Sequence, residues 1–294
     1  MGEVRLDREL RGDPAGRQHD RTPDDVASIR SRDRAPQAHE CQRTQRAIHG
    51  ATLTLLLLAA CQHETPETPN AFYNWDDRKV HCSIVLDTYA RNDLASIEAG
   101  LDRARERGEV IELYAHDPGR TVSWRELENV LAAISARDLP YFTYAELARN
   151  TVTPQAGVVL SFDDAYVDHW LAGADLYAQY GARLTFFVAY FDQLDADRRA
   201  SLHELVARGH AVEAHSVNHL RAPLFVEQRG LTAYLREEAL PSIDWLRDDG
   251  FEVTTYAYPY GARTSEIDTA LLEQVPLVRS VSFTWTGVAD PCPN

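Results

Sequence analysis

Apolar and polar positions along the chain follow two alternating rhythms. Short runs rich in β-branched and aromatic residues read as strands: Val80–Leu86, Val110–Tyr114, Tyr141–Thr143, Gly157–Phe162, Leu184–Val188, Ala211–Ala214, Val253–Tyr256 and Leu277–Phe283. Between most of them lie helical segments: Leu94–Arg107, Ser123–Arg137, Val167–Tyr180, Arg198–Arg208, Gly230–Asp248 and Ser265–Glu273. Leu127, Val130, Leu131 and Ile134 give the second segment an apolar face at helical spacing. Ser123 and Glu126 form a capping-box pattern at its start. Gly108, Gly181, Gly209 and Gly250 each stand between a helix and the next strand. Strand and helix repeating in this way predict a parallel sheet with helices outside. Seven or eight such units favour a closed α/β barrel over an open sheet, with no second domain.

The first residues follow neither rhythm. Residues 1–46 carry few large apolar side chains and read as a disordered or mis-assigned extension, with the true start expected within residues 20–46. Arg43 and Arg46 then precede a ten-residue apolar run, 51–60, that ends Leu58-Ala59-Ala60 before Cys61. A positive flank, a short apolar core and small residues make a secretory signal over 47–60. The run is too short to span a bilayer, which takes about 20 apolar residues. Its ending resembles a bacterial lipoprotein signal, which implies a lipid anchor on Cys61, a tether over 61–74 and a domain over 75–294. That reading expects a cell-envelope location and no transmembrane span in the mature protein.

Composition narrows the function. Lys+Arg is 30 against Asp+Glu 45, a formal net charge of -15, and Lys79 is the only lysine. Phosphate backbones would repel such a surface, so nucleic acid is not an expected partner. A neutral glycan suits it better than a polyanion.

The polar residues that stand out fall where strand-like runs end: Asp87, His116-Asp117, Asp163-Asp164, His215 with His219, and Tyr258-Pro-Tyr-Gly261. In a β/α barrel those ends share one mouth, where active sites are built. Two imidazoles four residues apart can face one ion if the turn is helical, and one carboxylate completes an open three-ligand site. Alone, the His pair is a weak signal that fits two surface histidines as well, and adjacent aspartates are common in turns and helix caps.

Ser161-Phe-Asp-Asp-Ala165, His215-Ser-Val-Asn-His219 and Tyr258-Pro-Tyr-Gly261 resemble, in order and spacing, the first three motifs of the polysaccharide deacetylase family, the NodB-homology group or carbohydrate esterase family 4. The resemblance implies a distorted (β/α) barrel. It implies Asp163 as general base, and Asp164, His215 and His219 as ligands of a divalent metal, with Zn2+ the expected ion. It also implies backbone near Tyr260 as a donor to the oxyanion, and an N-acetylated glycan as substrate. Ser161 and Ala165 depart mildly from the family pattern. Ala257 stands where the family often carries the arginine that partners the base, so that arginine is absent or comes from elsewhere. Gly108–Gly119 resembles the fifth motif, with His116 as general acid, and Cys82–Asp87 resembles the fourth-motif region, with Asp87 tuning His116. Motifs four and five thus precede one, two and three, which implies a circular permutation. Permutation predicts that the new termini meet, bringing Cys82 near Cys292.

Tyr89, Tyr166 and Trp285 follow strand ends and are candidates for sugar stacking, whereas Trp124, Trp170 and Trp245 read as packing residues. Arg221–Gly230 reads as a loop that shapes the groove. Two other functions fit the same sequence: a non-catalytic glycan-binding lipoprotein, favoured by Ala165 and Ala257, and a metal-dependent amidase acting on another C–N bond.

Overall fold

The computed structural model describes residues 69–90 and 92–282, together with Asp290 and Cys292. The expected extension, signal, anchor at Cys61 and most of the tether lie outside the described residues, as does Trp285. No helix among the described residues is long and apolar enough to cross a membrane.

Nine strands form among the described residues: β1 (Phe72–Tyr73), β2 (Val80–Val85), β3 (Val110–Ala115), β4 (Tyr141–Phe142), β5 (Gly157–Asp164), β6 (Thr185–Val188), β7 (Ala211–Ala214), β8 (Thr255–Ala257) and β9 (Leu277–Val281). Seven of them close into a ring, β2-β3-β5-β6-β7-β8-β9 and back to β2, with every pair parallel. The expected α/β barrel is therefore present with seven strands. Tyr141–Phe142 is not an eighth stave: β4 pairs with β5 at Val158 and Val159, and β6 takes over that edge from Ser161 onward. Phe72–Tyr73, placed in the tether by the sequence, pairs antiparallel with β3 and is buried, because two adjacent aromatic residues gain more in the core than in water.

Alternation along each strand sorts the side chains into two layers. Ile111, Leu113, Val158, Leu160, Phe162, Phe186, Val188, Val212, Tyr256 and Val278 face outward and join the helices in the main core. Val110, Val159, Phe187, Ala257 and Leu277 belong to a second cluster inside the barrel. Helices cover the outer layer. Leu94–Arg107 starts at Asp93, whose side chain accepts from Ser96 N, and ends at left-handed Gly108. Trp124–Ser135 carries the expected capping box and buries Leu127, Val130, Leu131 and Ile134. Truncating a fully buried leucine such as Leu127 to Ala would cost about 2–5 kcal/mol.

Three segments depart from the expected pattern. Val167–Tyr180 is two helices, Val167–Ala172 and Ala174–Gln179, divided at Gly173, where a Cβ would meet the Tyr177 hydroxyl oxygen at 2.2 Å. Arg221–Gly230 is mostly helix, Ala222–Arg229, begun by a proline in its first turn. Gly230–Asp248 is interrupted by a π turn at Leu235–Ala239.

Cys82 and Cys292 form a disulfide with Cα atoms 6.3 Å apart, and Asn70 Nδ2 donates to the Cys292 carbonyl at 3.2 Å. The two ends of the described fold therefore meet, as expected.

Candidate active site

All seven ring strands end on one mouth, and their last residues carry the polar groups singled out by sequence. Asp163 lies on the inner face of β5, 2% exposed. Its neighbour Asp164 would face the helices in a regular strand. A left-handed backbone (φ 82°) turns it over the mouth instead. Ser216 (φ 71°), His219 (φ 54°), Tyr190 (φ 55°) and Tyr260 (φ 60°) share that conformation at neighbouring strand ends.

Asp164, His215 and His219 converge. Their donor atoms all lie within 4.8 Å of one another. Asp164 Oδ1 is 3.7 Å from His215 Nε2 and 3.1 Å from His219 Nε2. The turn between the histidines is not helical, in contrast to the condition the sequence set for their convergence. Left-handed residues at 216 and 219 bring the rings together, with centroids 4.9 Å apart.

This set fits a divalent cation. His215 Nε2 and Asp164 Oδ1 are buried without a hydrogen-bond partner. The Ala257 carbonyl takes the hydrogen bond of His215 Nδ1 at 2.9 Å, leaving the Nε2 lone pair free to bind. Burial pushes His215 down to about 4, so the ring is neutral at physiological pH. Burial alone would raise the Asp164 carboxyl, but the facing imidazoles, His219 first, hold it well below its ordinary value. Two imidazole nitrogens and one carboxylate oxygen suit zinc and neighbouring transition ions.

The partner of Asp163 comes from an unexpected strand. Arg279 Nη2 donates to Asp163 Oδ1, and the guanidinium is fully buried. Arg279 lies on β9, directly beside Ala257 of β8 in the sheet register. The charge missing at Ala257 is thus supplied from one strand over. The cation also rests over the Phe187 and Tyr114 rings, at 4.7 and 5.3 Å. Sequence reasoning missed it, although an arginine in the middle of an apolar strand is costly unless paired and is itself a signal.

On the opposite side of the mouth stands His116, at the end of β3. Its Nδ1 lies 2.5 Å from Asp87 Oδ2, and its backbone N–H donates to Asp87 Oδ1 at 3.3 Å. Thr121 Oγ1 also donates to Asp87 Oδ1 (2.5 Å), and the Trp170 indole donates to the His116 carbonyl (3.0 Å). Trp170 is a packing residue, as expected, that also holds the histidine. Burial opposes charge on His116, but the Asp87 hydrogen bond and the fields of Asp164, Asp87 and Asp163 outweigh it and raise the imidazole to about 9. It is a protonated acid at neutral pH.

Tyr260 lies 4.7 Å, ring to ring, from His219, and the Arg221 guanidinium sits 4.0 Å from the Tyr260 ring centre. Tyr89 is 65% exposed, with its ring 6.5 Å from that of His116, and Tyr166 is half-buried on the same rim.

The description "Polysaccharide deacetylase" belongs to a family model that matches residues 150–276. Over those residues the chain matches a polysaccharide deacetylase domain. It is accordingly an enzyme. The matched segment contains Asp163, Asp164, His215, His219 and Tyr260, and leaves out β2, β3 and β9 with Asp87, His116 and Arg279. Among solved structures, the chain is similar to the Streptococcus pyogenes deacetylase PplD in complex with acetate (18% identity, 58% of this chain and 90% of that one, TM-score 0.47). It is also similar to IcaB from Ammonifex degensii (20%, 62% and 86%, TM-score 0.48). A third is a de-N-acetylase from Aggregatibacter actinomycetemcomitans (14%, 60% and 96%, TM-score 0.48). No curated protein matches.

Proposed function

We propose that this polysaccharide deacetylase removes N-acetyl groups from an N-acetylglucosamine-type glycan by cation-assisted hydrolysis. The observation that carries the reading is the convergence of Asp164, His215 and His219, with orphaned donor atoms, between a buried carboxylate and a protonated histidine. Asp164, His215 and His219 would hold a divalent cation, whose Lewis acidity would be available to the acetamide carbonyl and to water. Asp163 takes the proton of the attacking water. Arg279 orients that carboxylate and leaves one oxygen for the proton. His116 gives its Nε2 proton to the departing amine, which leaves poorly unprotonated, and Asp87 keeps Nδ1 occupied so that Nε2–H faces the cleft. The left-handed backbone at Tyr260 is the expected donor to the oxyanion. Acetate and a glucosamine-type amine result.

The test separates chemistry from cation binding. Asp163→Asn is expected to abolish acetate release from N-acetylglucosamine oligosaccharides while keeping bound Zn2+, and His215→Ala to lose the Zn2+. Full activity in Asp163→Asn would overturn the assignment of the base. A chain that binds the oligosaccharide without releasing acetate would favour the glycan-binding alternative, and release only from non-glycan amides the amidase.

The motif order is read as a circular permutation. It is supported by β3 closing the ring directly onto β5, and by the contact between Asn70 and Cys292. The leader over 47–60 and Cys61 are read as a lipoprotein signal and anchor at the bacterial cell envelope. A disulfide in the barrel suits such an oxidising location.

A further inference from the structure

The loop that carries both histidine ligands has no secondary structure of its own. Non-glycine residues rarely adopt the left-handed backbone found at Ser216 and His219, so the surroundings must impose it. A single residue is tied to every residue between the ligands, through its side chain to Ser216 and Asn218 and through its backbone carbonyl to Val217. Glu238 is 2% exposed, and its Oε2 accepts from the Ser216 hydroxyl at 2.6 Å and from the Asn218 backbone N–H at 2.9 Å. Its Oε1 accepts from Asn218 Nδ2 at 2.7 Å, and its backbone carbonyl accepts from Val217 N at 3.1 Å. Glu238 sits in the π turn Leu235–Ala239. The turn has a local cause. Pro241 has no N–H to give the Glu237 carbonyl, and its ring crowds that carbonyl, so the backbone widens just before it. Such turns recur at functional sites.

We propose that Glu238 is the positioning residue of the cation site. It holds the 215–219 loop in the conformation that converges the two imidazoles before any cation arrives, and so sets the affinity for that cation. The inference rests on the reading that Asp164, His215 and His219 bind a divalent ion.

The experiment measures Zn2+ affinity by competition with a chromophoric chelator, on the full-length protein stripped of metal. Glu238→Gln keeps the side chain's size but replaces one acceptor oxygen with a donor that faces donors. It is expected to weaken Zn2+ binding about 10–100-fold, with a melting temperature in EDTA within a few degrees of the parent. Acetate release should fall at limiting Zn2+ and return toward the parent rate at saturating Zn2+, which a loss of folding would not do. Ser216→Ala and Asn218→Ala remove donors from the other side and are expected to weaken binding in the same direction. They decide the matter if Glu238→Gln does not fold. Affinities within about twofold of the parent, in Glu238→Gln or in both loop variants, would overturn the proposal. If the parent itself binds no Zn2+ more tightly than His215→Ala does, it is the cation reading that fails.

Discussion

Replacing Asp87 with Asn removes one charge and turns the oxygen that accepts from the His116 N–H and Thr121 Oγ1 into an amide NH2. The amide oxygen can still accept from His116 Nδ1, so the tautomer with Nε2–H toward the cleft survives. What changes at the imidazole is the field. His116 is raised from 6.5 to about 9 against the cost of its burial, and Asp87 contributes both the hydrogen bond and part of the field that raise it. Losing that charge should lower the imidazole by about two units. At pH 8 an acid with a value of about 9 is roughly nine-tenths protonated, and one near 7 about one-tenth, so kcat/KM should fall about tenfold. At pH 6 both are protonated and the two enzymes should differ little. The sign follows from the raised value: the acid form exists below the folded-state pKa and is lost above it, so Asp87→Asn moves the alkaline limb of activity downward. A cation beside Asp164 lowers both limbs, and the comparison between variants remains. The assay is acetate release from an N-acetylglucosamine oligosaccharide at subsaturating concentration between pH 5 and 10. An alkaline limb that stays in place, with the rate lowered equally at every pH, would refute the coupling of Asp87 to the acid.

Arg279→Met should strip Asp163 of its partner inside the barrel, costing about 3–5 kcal/mol of stability and most of the activity, with Arg279→Lys retaining more of both. Calorimetry with acetate release checks it, and a stable, active Arg279→Met would show the pair to be dispensable. Cys292→Ser, or reductant on the parent, should cost about 2–5 kcal/mol because the bond joins residues 210 apart in sequence. A melting temperature indifferent to reductant would contradict that expectation.

Much of the site was legible because its parts are local. The adjacent aspartates, the His pair and the strand-ending histidine each announce themselves within a few residues, and each reached the mouth. The helix Leu94–Arg107 matched its expected bounds because Asp93 and Gly108 mark both ends chemically. Tyr144–Ala148 passed unnoticed, since a five-residue helix is too short to show a periodicity. The Ala222–Arg229 helix was hidden by Pro223 and by charges that read as loop. The histidines converge as the resemblance implied, but by a route that spacing could not show: a helical turn was the only means it offered, and the loop is held from outside by Glu238.

The chain's own order of residues determined the alternation of strand and helix, and therefore which side chains stand at strand ends. Those are decisions of period and capping, made over a few residues at a time. It did not determine who stands beside whom. Asp163 and Arg279 are 116 positions apart, and Glu238 lies beyond the loop it grips. Ring closure decided the first, since parallel register sets Arg279 next to Ala257 and delivers to the base a charge that β8 lacks. A buried carboxylate needs a partner wherever the chain can supply one, and only the closed barrel reveals which strand supplies it.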